Sequence, residues 1–208
     1  YHVETHGQKG FNGVAILSKI KPDEVMRGLP GAVGPDGQID EQSRYIECVF
    51  SVQGGVIRVA SIYLPNGNPS DDPVKYPYKL AWMERLRLHA QQCLALEEPL
   101  ILAGDYNVIP EPHDCFDPAA WATDALFLPK TRAAFRALEN LGLTDAVRAT
   151  TDATKLYTFW DYQAGAWQKN NGIRIDHLML SPEAADRLKS TSIEKHTRAW
   201  EKPSDHVP

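Results

Sequence analysis

Asp105 and Asn107 stand two residues apart in Gly104-Asp105-Tyr106-Asn107, directly after the apolar run Leu100–Gly104. Alternate residues of an extended chain point to the same side, so a carboxylate and an amide oxygen can share one target there. Both are hard oxygen donors, suited to Mg²⁺ or Mn²⁺ and not to zinc. Ligands of sheet-based enzymes gather beyond the carboxyl ends of strands, which is where this pair falls. The same two residue types also shape the turn that follows a strand, and the pair by itself reads equally well that way.

Asp176 lies in the apolar stretch Ile175-Asp176-His177-Leu178-Met179-Leu180. On a strand it shares a face with Leu178 and Leu180, so a partly buried carboxylate is expected, and a buried charge needs a partner. Arg174 on the same face is one candidate; a histidine that the carboxylate orients is the other. Ser204-Asp205-His206 follows Lys202-Pro203 near the chain end, and a loop there lets Asp205 and His206 turn toward one point. Tyr63 closes an apolar run just before Leu64-Pro65-Asn66-Gly67-Asn68-Pro69; it reads as packing, with a hydroxyl able to donate to a phosphate oxygen. Gly7-Gln8-Lys9-Gly10 is a solvated loop that, beside a phosphate, would offer backbone N–H groups and one positive charge. His2, His6, His89, His113 and His196 read as surface histidines, and His177 as half-buried structure.

These groups need strands and loops to hold them. Val14–Ser18 is an expected strand, and the Gly- and polar-rich stretch from Ala32 to Ser43 an expected loop. Ile46, Cys48, Phe50 and Val52 alternate on one face of a strand, Gln53-Gly54-Gly55 turns the chain, and Val56–Tyr63 returns as the second arm of a hairpin. Leu80, Met83, Leu86, Ala90 and Leu94 recur at helical steps, predicting an amphipathic helix over Pro77–Leu96. Leu100–Gly104 is apolar enough for a strand buried on both faces. Thr131–Leu141 is a second helix, with Phe135, Leu138 and Leu141 inward and Gly142 ending it; Ile173–Leu180 is another buried strand. Hairpins mixed with helix-linked strands predict an α/β or α+β fold with more than one sheet.

The chain has 208 residues, 43% of them hydrophobic and 24% charged, which fits one soluble domain. No apolar run is long enough to span a membrane, so a membrane partner is not expected. Cys48, Cys93 and Cys115 lack close metal-type spacing and read as reduced and partly buried, favouring the cytoplasm. A formal net charge of −5 argues against generic nucleic-acid binding, although Lys and Arg can still cluster on one face of an acidic molecule.

Taken in order, His6-Gly7-Gln8-Lys9-Gly10 with Gly13-Val14-Ala15, Tyr63-Leu64-Pro65-Asn66-Gly67, Gly104-Asp105-Tyr106-Asn107, Arg174-Ile175-Asp176 and Lys202-Pro203-Ser204-Asp205-His206 resemble the exonuclease III branch of the endonuclease/exonuclease/phosphatase superfamily. The likeness spans essentially the whole chain. It implies a two-sheet β-sandwich flanked by helices, a DNase I-like four-layer architecture with the active site at one end. It implies a monomer acting on double-stranded DNA, with Mg²⁺ or Mn²⁺ as cofactor. Cleavage on the 5′ side of abasic sites, 3′-to-5′ exonuclease action and 3′-phosphatase action are the implied activities. By motif position, Asp105, Asn107, Asp205 and His206 would lie on the metal side, Asp176 would orient His206, and Tyr63 would contact the scissile phosphate. The choice between Asp105 and His206 as generator of the attacking hydroxide stays open. Lys9, Asn66 and Asn68 would bind substrate, and Phe159 and Ile173 would line a pocket for a base-free sugar; plain core packing is an equal reading of the last two.

The family also begins with a strand carrying Trp-Asn and, after it, a Gln-Glu, and neither dipeptide occurs in the chain. The expectation is one domain over 1–208 lacking the family's N-terminal segment and last strand, with an incomplete metal site and severely reduced activity as a 208-residue piece. Two rival readings remain: a superfamily phosphodiesterase or phosphatase acting on a lipid or inositol phosphate, and a DNA-binding module without catalysis.

Overall fold

Alternating apolar residues on either side of a tight turn form the central hairpin: β4 (Tyr45–Val52) pairs antiparallel with β5 (Gly55–Tyr63), in register from Val52↔Gly55 to Tyr45↔Ile62. The computed structural model describes residues 1–31, 37 and 39–208, so the expected loop from Ala32 to Ser43 lies partly outside the described residues. In chain order β1 (His2–Gly7), β2 (Gly13–Ser18) and β3 (Glu24–Arg27) precede the hairpin. After it come α1 (Lys75–Leu94), β6 (Leu100–Asp105), α2 (Pro129–Glu139), β7 (Thr144–Asp145), α3 (Ala146–Thr150), α4 (Ala166–Lys169), β8 (Asp176–Leu180) and α5 (Pro182–Ala185). One sheet has six strands in the order β3-β4-β5-β6-β8-β7, and β1 and β2 form a second, two-stranded sheet. Among the described residues only β5 and β6 run parallel, and α1 supplies the long crossover that parallel neighbours require.

The main core lies between the six-stranded sheet and α1 with α2. Ala60, Ile62, Leu100 and Leu102 of the sheet meet Trp82, Met83, Leu86 and Ala90 of α1 and Phe135 and Leu138 of α2. Each large apolar side chain buried there contributes about 2 kcal/mol. On the opposite face β1 and β2 pack over β4 and β5, while Ala146 of α3 and Ala184 of α5 meet Leu180 and Ile101. The expected mixed α/β class, with two sheets and flanking helices, is what forms.

The expected alternation of β4 is only half the picture. Ile46, Cys48 and Phe50 are buried as predicted, but Tyr45 and Glu47 on the other face are buried too, because α1 covers it. Glu47 is 2% exposed and is bonded by Arg58 Nη1 at 2.6 Å, Tyr45 Oη at 2.5 Å and His89 Nε2 at 2.8 Å. His89 is therefore a buried ion-pair partner on the inner face of α1, not a surface residue. The ligand atoms of Glu47, His89 and Cys93 lie within 4.8 Å of one another, yet both oxygens of Glu47 are already taken by these three donors. His177 is likewise buried outright at 2% exposure, held between Arg174 and the Val108 carbonyl. The three cysteines are free and buried, and no described helix is long and apolar enough to cross a membrane.

Helix α1 begins and ends two residues earlier than its apolar spacing suggested, and α2 likewise starts and stops two residues early. The strand expected over Ile173–Leu180 begins only at Asp176; Ile173 instead makes isolated bridges to Cys115 and Phe159. Leu178, expected to be buried, is 40% exposed. Strands β1 and β3 carried too little apolar alternation to be foreseen.

Candidate active site

Three strand ends stand side by side at one end of the large sheet. Tyr63, the last residue of β5, is in register with Asp105, the last of β6, and Asp105 is in register with Asp176, the first of β8. Parallel pairing of β5 with β6 and antiparallel pairing of β6 with β8 makes a C-terminus, a C-terminus and an N-terminus coincide. The three side chains are thus gathered by register and need no loop to bring them together. The close approach of β5 and β6 depends on Gly104, whose φ is +141°: a Cβ there would lie 2.1 Å from the Ile62 carbonyl oxygen.

His206 arrives from the other side. Its loop is stitched to the strand-like segment 158–160 by Trp160 N–H to Asp205 O at 2.9 Å and Val207 N–H to Thr158 O at 2.9 Å. His206 Nδ1 then lies 2.9 and 3.0 Å from the two carboxylate oxygens of Asp176, and its Nε2 faces Asp105 Oδ2 at 4.0 Å. Arg174, the alternative partner for Asp176, is 1% exposed and engaged instead by Asp114 and Asp145 at 2.8 and 2.7 Å. Burial alone would lower His206, but the bond to Asp176 and the charges of Asp176, Asp105 and Asp205 outweigh it and lift the imidazole to about 9. Burial, and then the charge of Asp176, push the Asp105 carboxyl up to about 7 against the pull of His206.

Asn107 is buried, with its backbone in the left-handed region at φ 48°. Its amide is fully engaged: Nδ2 donates to Leu64 O at 2.8 Å and to Asp105 Oδ2 at 3.1 Å, while Oδ1 accepts from Asn66 Nδ2 at 3.0 Å. Asp105 Oδ1 also accepts the Asn107 backbone N–H at 2.8 Å. In this arrangement Asn107 holds Asp105 and the Asn66 loop together. Asn68 sits further along that loop, donating to Asp124 Oδ1 at 3.0 Å and accepting from Ala125 N–H at 3.0 Å. Lys9 is exposed; its neighbour Gln8 accepts from Ser43 N–H at 2.8 Å.

Gln8, Arg44, Asn66, Gly67, Asn68 and Lys75 line an open cleft of about 990 Å³. Arg44 stacks over the Tyr63 ring at 5.0 Å and donates to the Tyr63 carbonyl. Next to His206, whose ring meets Phe159 edge-on at 5.0 Å, Phe116, Trp121, Phe159 and Ile173 line an apolar pocket of about 310 Å³. Ile173 is 1% exposed and Phe159 half-buried, so the two combine core packing with a cavity wall. Arg44, Phe116 and Trp121 escaped notice in the sequence because each lies in an irregular segment, and Lys75 because it opens α1 before the apolar spacing of that helix begins.

The donor chemistry suits a hard divalent cation. Asp105 and Asp176 face each other across β6 and β8, and a cation beside Asp105 would offset both the burial and the Asp176 charge that hold its carboxyl up. Among the described residues, Asp105, Asp205 and His206 do not bring three ligand atoms to the spacing of one ion. They fit the habit of Mg²⁺, which binds through one or two carboxylates and keeps its waters.

Comparison with known proteins is consistent over the full length. The model of a family described as the endonuclease/exonuclease/phosphatase family matches residues 1–206. Exodeoxyribonuclease III of Haemophilus influenzae is 33% identical, the match covering 100% of this chain and 79% of that protein. Among solved structures, the 3′ phosphatase NExo from Neisseria bound to a product DNA hairpin superposes with a TM-score of 0.90 at 37% identity, covering 99% of this chain and 76% of that one. An AP endonuclease from Archaeoglobus fulgidus gives a TM-score of 0.88 at 35% identity, covering 100% and 77%.

Proposed function

Because the chain belongs to the endonuclease/exonuclease/phosphatase family and, within it, to the exonuclease III group, we propose that it is a DNA repair nuclease hydrolysing phosphodiesters beside abasic sites and at 3′ ends. Residues 1–208 would form one domain of a cytoplasmic, monomeric enzyme. Its substrate would be double-stranded DNA carrying abasic sites, 3′-phosphates or 3′ termini. One observation carries the catalytic reading: the Asp176–His206 pair at 2.9 Å, with the free imidazole nitrogen aimed at Asp105 and the ring against the apolar pocket.

Hydrolysis of a phosphodiester needs an activated water, relief of charge on the phosphorus oxygens and help for the leaving oxygen. His206, held charged at neutral pH by Asp176, would donate from Nε2 to a phosphate oxygen and stabilise the charge that develops there. Asp105, aligned by Asn107 and facing the His206 imidazole, would accept the proton of the attacking water. Tyr63, beside Asp105 in register, would donate its hydroxyl to the same phosphate. Asn107 and Asn66 would keep Asp105 aligned through the bonds they share. A Mg²⁺ or Mn²⁺ ion held by Asp105 and Asp205 would supply charge neutralisation on the phosphate. Arg44, Lys75 and Asn68 in the cleft, with exposed Lys9 beside Gln8 in the chain, would contact the DNA backbone one side chain at a time, since Asp40 and Glu41 line the same cleft and leave it without a net positive charge. The pocket of Phe116, Trp121, Phe159 and Ile173 would accept an extrahelical sugar without its base.

The test is His206→Ala and Asp176→Asn in the full-length protein, assayed on a duplex with one tetrahydrofuran abasic-site analogue. The expected result is a fall in kcat of about 10²- to 10⁴-fold for His206→Ala, the range for loss of one acid–base or oxyanion group, with a smaller fall for Asp176→Asn. Incision by His206→Ala at the wild-type rate would remove the imidazole from the mechanism.

A further inference from the structure

Lys79 lies in the first turns of α1 on the same face as Trp82, Met83 and Leu86, yet it is a lysine with no exposed surface at all. Burying an amine is costly unless its hydrogens find acceptors. Nζ donates to the Asn107 carbonyl at 2.6 Å and to the Asn66 carbonyl at 3.0 Å, two backbone oxygens from different loops. Those loops follow β5 and β6 and carry the residues around Asp105. Burial pushes the amine down to about 7 while Asp105 and Asp124 pull it back, and Nζ keeps hydrogens for both carbonyls in either charge state. The Asn66–Gly67 loop runs directly over the lysine stem: a Cβ on Gly67 would fall 2.7 Å from Lys79 Cδ. Asn107 is held in the left-handed region, where a residue other than glycine stays only if its surroundings over-determine it.

We propose that Lys79 is a positioning residue for phosphodiester cleavage, tying the Asn66 and Asn107 carbonyls to the buried face of α1 so that Asn107 can align Asp105. This rests on the nuclease reading of the same site. Lys79 touches no reacting atom; it acts through Asn107 and Asn66, which already share a side-chain bond at 3.0 Å. Helix α1, anchored in the core by Trp82 and Leu86, becomes a strut that ends under the site.

Lys79→Met in the full-length protein tests the proposal. The expected result is a fall in kcat of about 30- to 100-fold on an abasic duplex, the scale for misplacing a catalytic group by about an ångström, with KM within about twofold. In a double-mutant cycle with Asn66→Ala, the two losses combine to much less than their product, because both act on Asn107. Hydrogen exchange rises in peptides covering 64–68 and 105–108 and stays as in wild type over 82–94. Wild-type kcat in Lys79→Met, fully additive losses, or a uniform rise in exchange across α1 and the sheet would each overturn the proposal. Should Lys79→Met fail to fold, Lys79→Gln, which keeps one donor group, is expected to show the same localised exchange; wild-type exchange there would overturn it equally. Exchange is read without turnover, so a full-length protein inactive on DNA would refute the nuclease reading while leaving this test standing.

Discussion

His206 and Asp105 are shifted in the same direction by opposed effects of burial. Burial would strip the charge from His206, but Asp176 and its carboxylate neighbours keep the proton on; burial and Asp176 together keep a proton near Asp105. Asp105, Asp176 and His206 were legible in the sequence because each breaks an apolar strand end or stands in a loop with little else to do. His89 shows the opposite case. Nothing along the chain says that Glu47 and Arg58 wait across the sheet from it, and only the pairing of β4 with β5 under α1 brings them there. Its imidazole is depressed by burial but raised more strongly by Cys93 and Glu47, to about 9. The folded value thus lies above the unfolded 6.5, so His89 stabilises the fold fully below pH 6.5 and loses that contribution as pH rises through about 9. Comparing urea unfolding of the wild type and His89→Gln should show a gap on the order of 2 kcal/mol at pH 6 that closes by pH 9.5. A gap that is constant over that range would mean the ring is held neutral in the fold.

At the scale of elements, the site is a consequence of strand register. The central hairpin, α1, α2 and β6 could be read from periodicity, because each buries a regular stripe of apolar residues. What could not be read is that β5 and β6 run parallel and β6 and β8 antiparallel, and this choice sets Tyr63, Asp105 and Asp176 in one row. Residue types within a strand do not encode its partner. Strands β1 and β3 were missed because their residues are mostly exposed and polar, and Asn107 could be mistaken for a turn residue because its partners come from another loop. Gly104 is where register and site depend on one atom. Gly104→Ala should push β6 off β5, destabilising the fold by about 3 kcal/mol and lowering activity with it, since the strain falls on both strands. Thermal and denaturant unfolding of Gly104→Ala check this; a variant as stable as wild type would mean that β5 yields without cost.

Across the whole molecule, an acidic protein presents Asp105 and Asp176 at one end of a sheet, beside an open polar cleft and a small apolar pocket. Net charge alone pointed away from nucleic acid, and the cleft itself is mixed, with Arg44 and Lys75 set beside Asp40 and Glu41. The pocket was half visible: Phe159 and Ile173 were singled out, while Phe116 and Trp121 complete the wall from a segment without periodicity. Folding of two sheets and their helices gathers these scattered positions at one end of the molecule. The most direct test of the account is incision of a duplex bearing a single abasic-site analogue by the full-length protein in Mg²⁺. The predicted result is a single nick on the 5′ side of the lesion, leaving a 3′-hydroxyl and abolished by EDTA. An intact duplex under those conditions, with phosphate released instead from an inositol phosphate or a lipid headgroup, would contradict it.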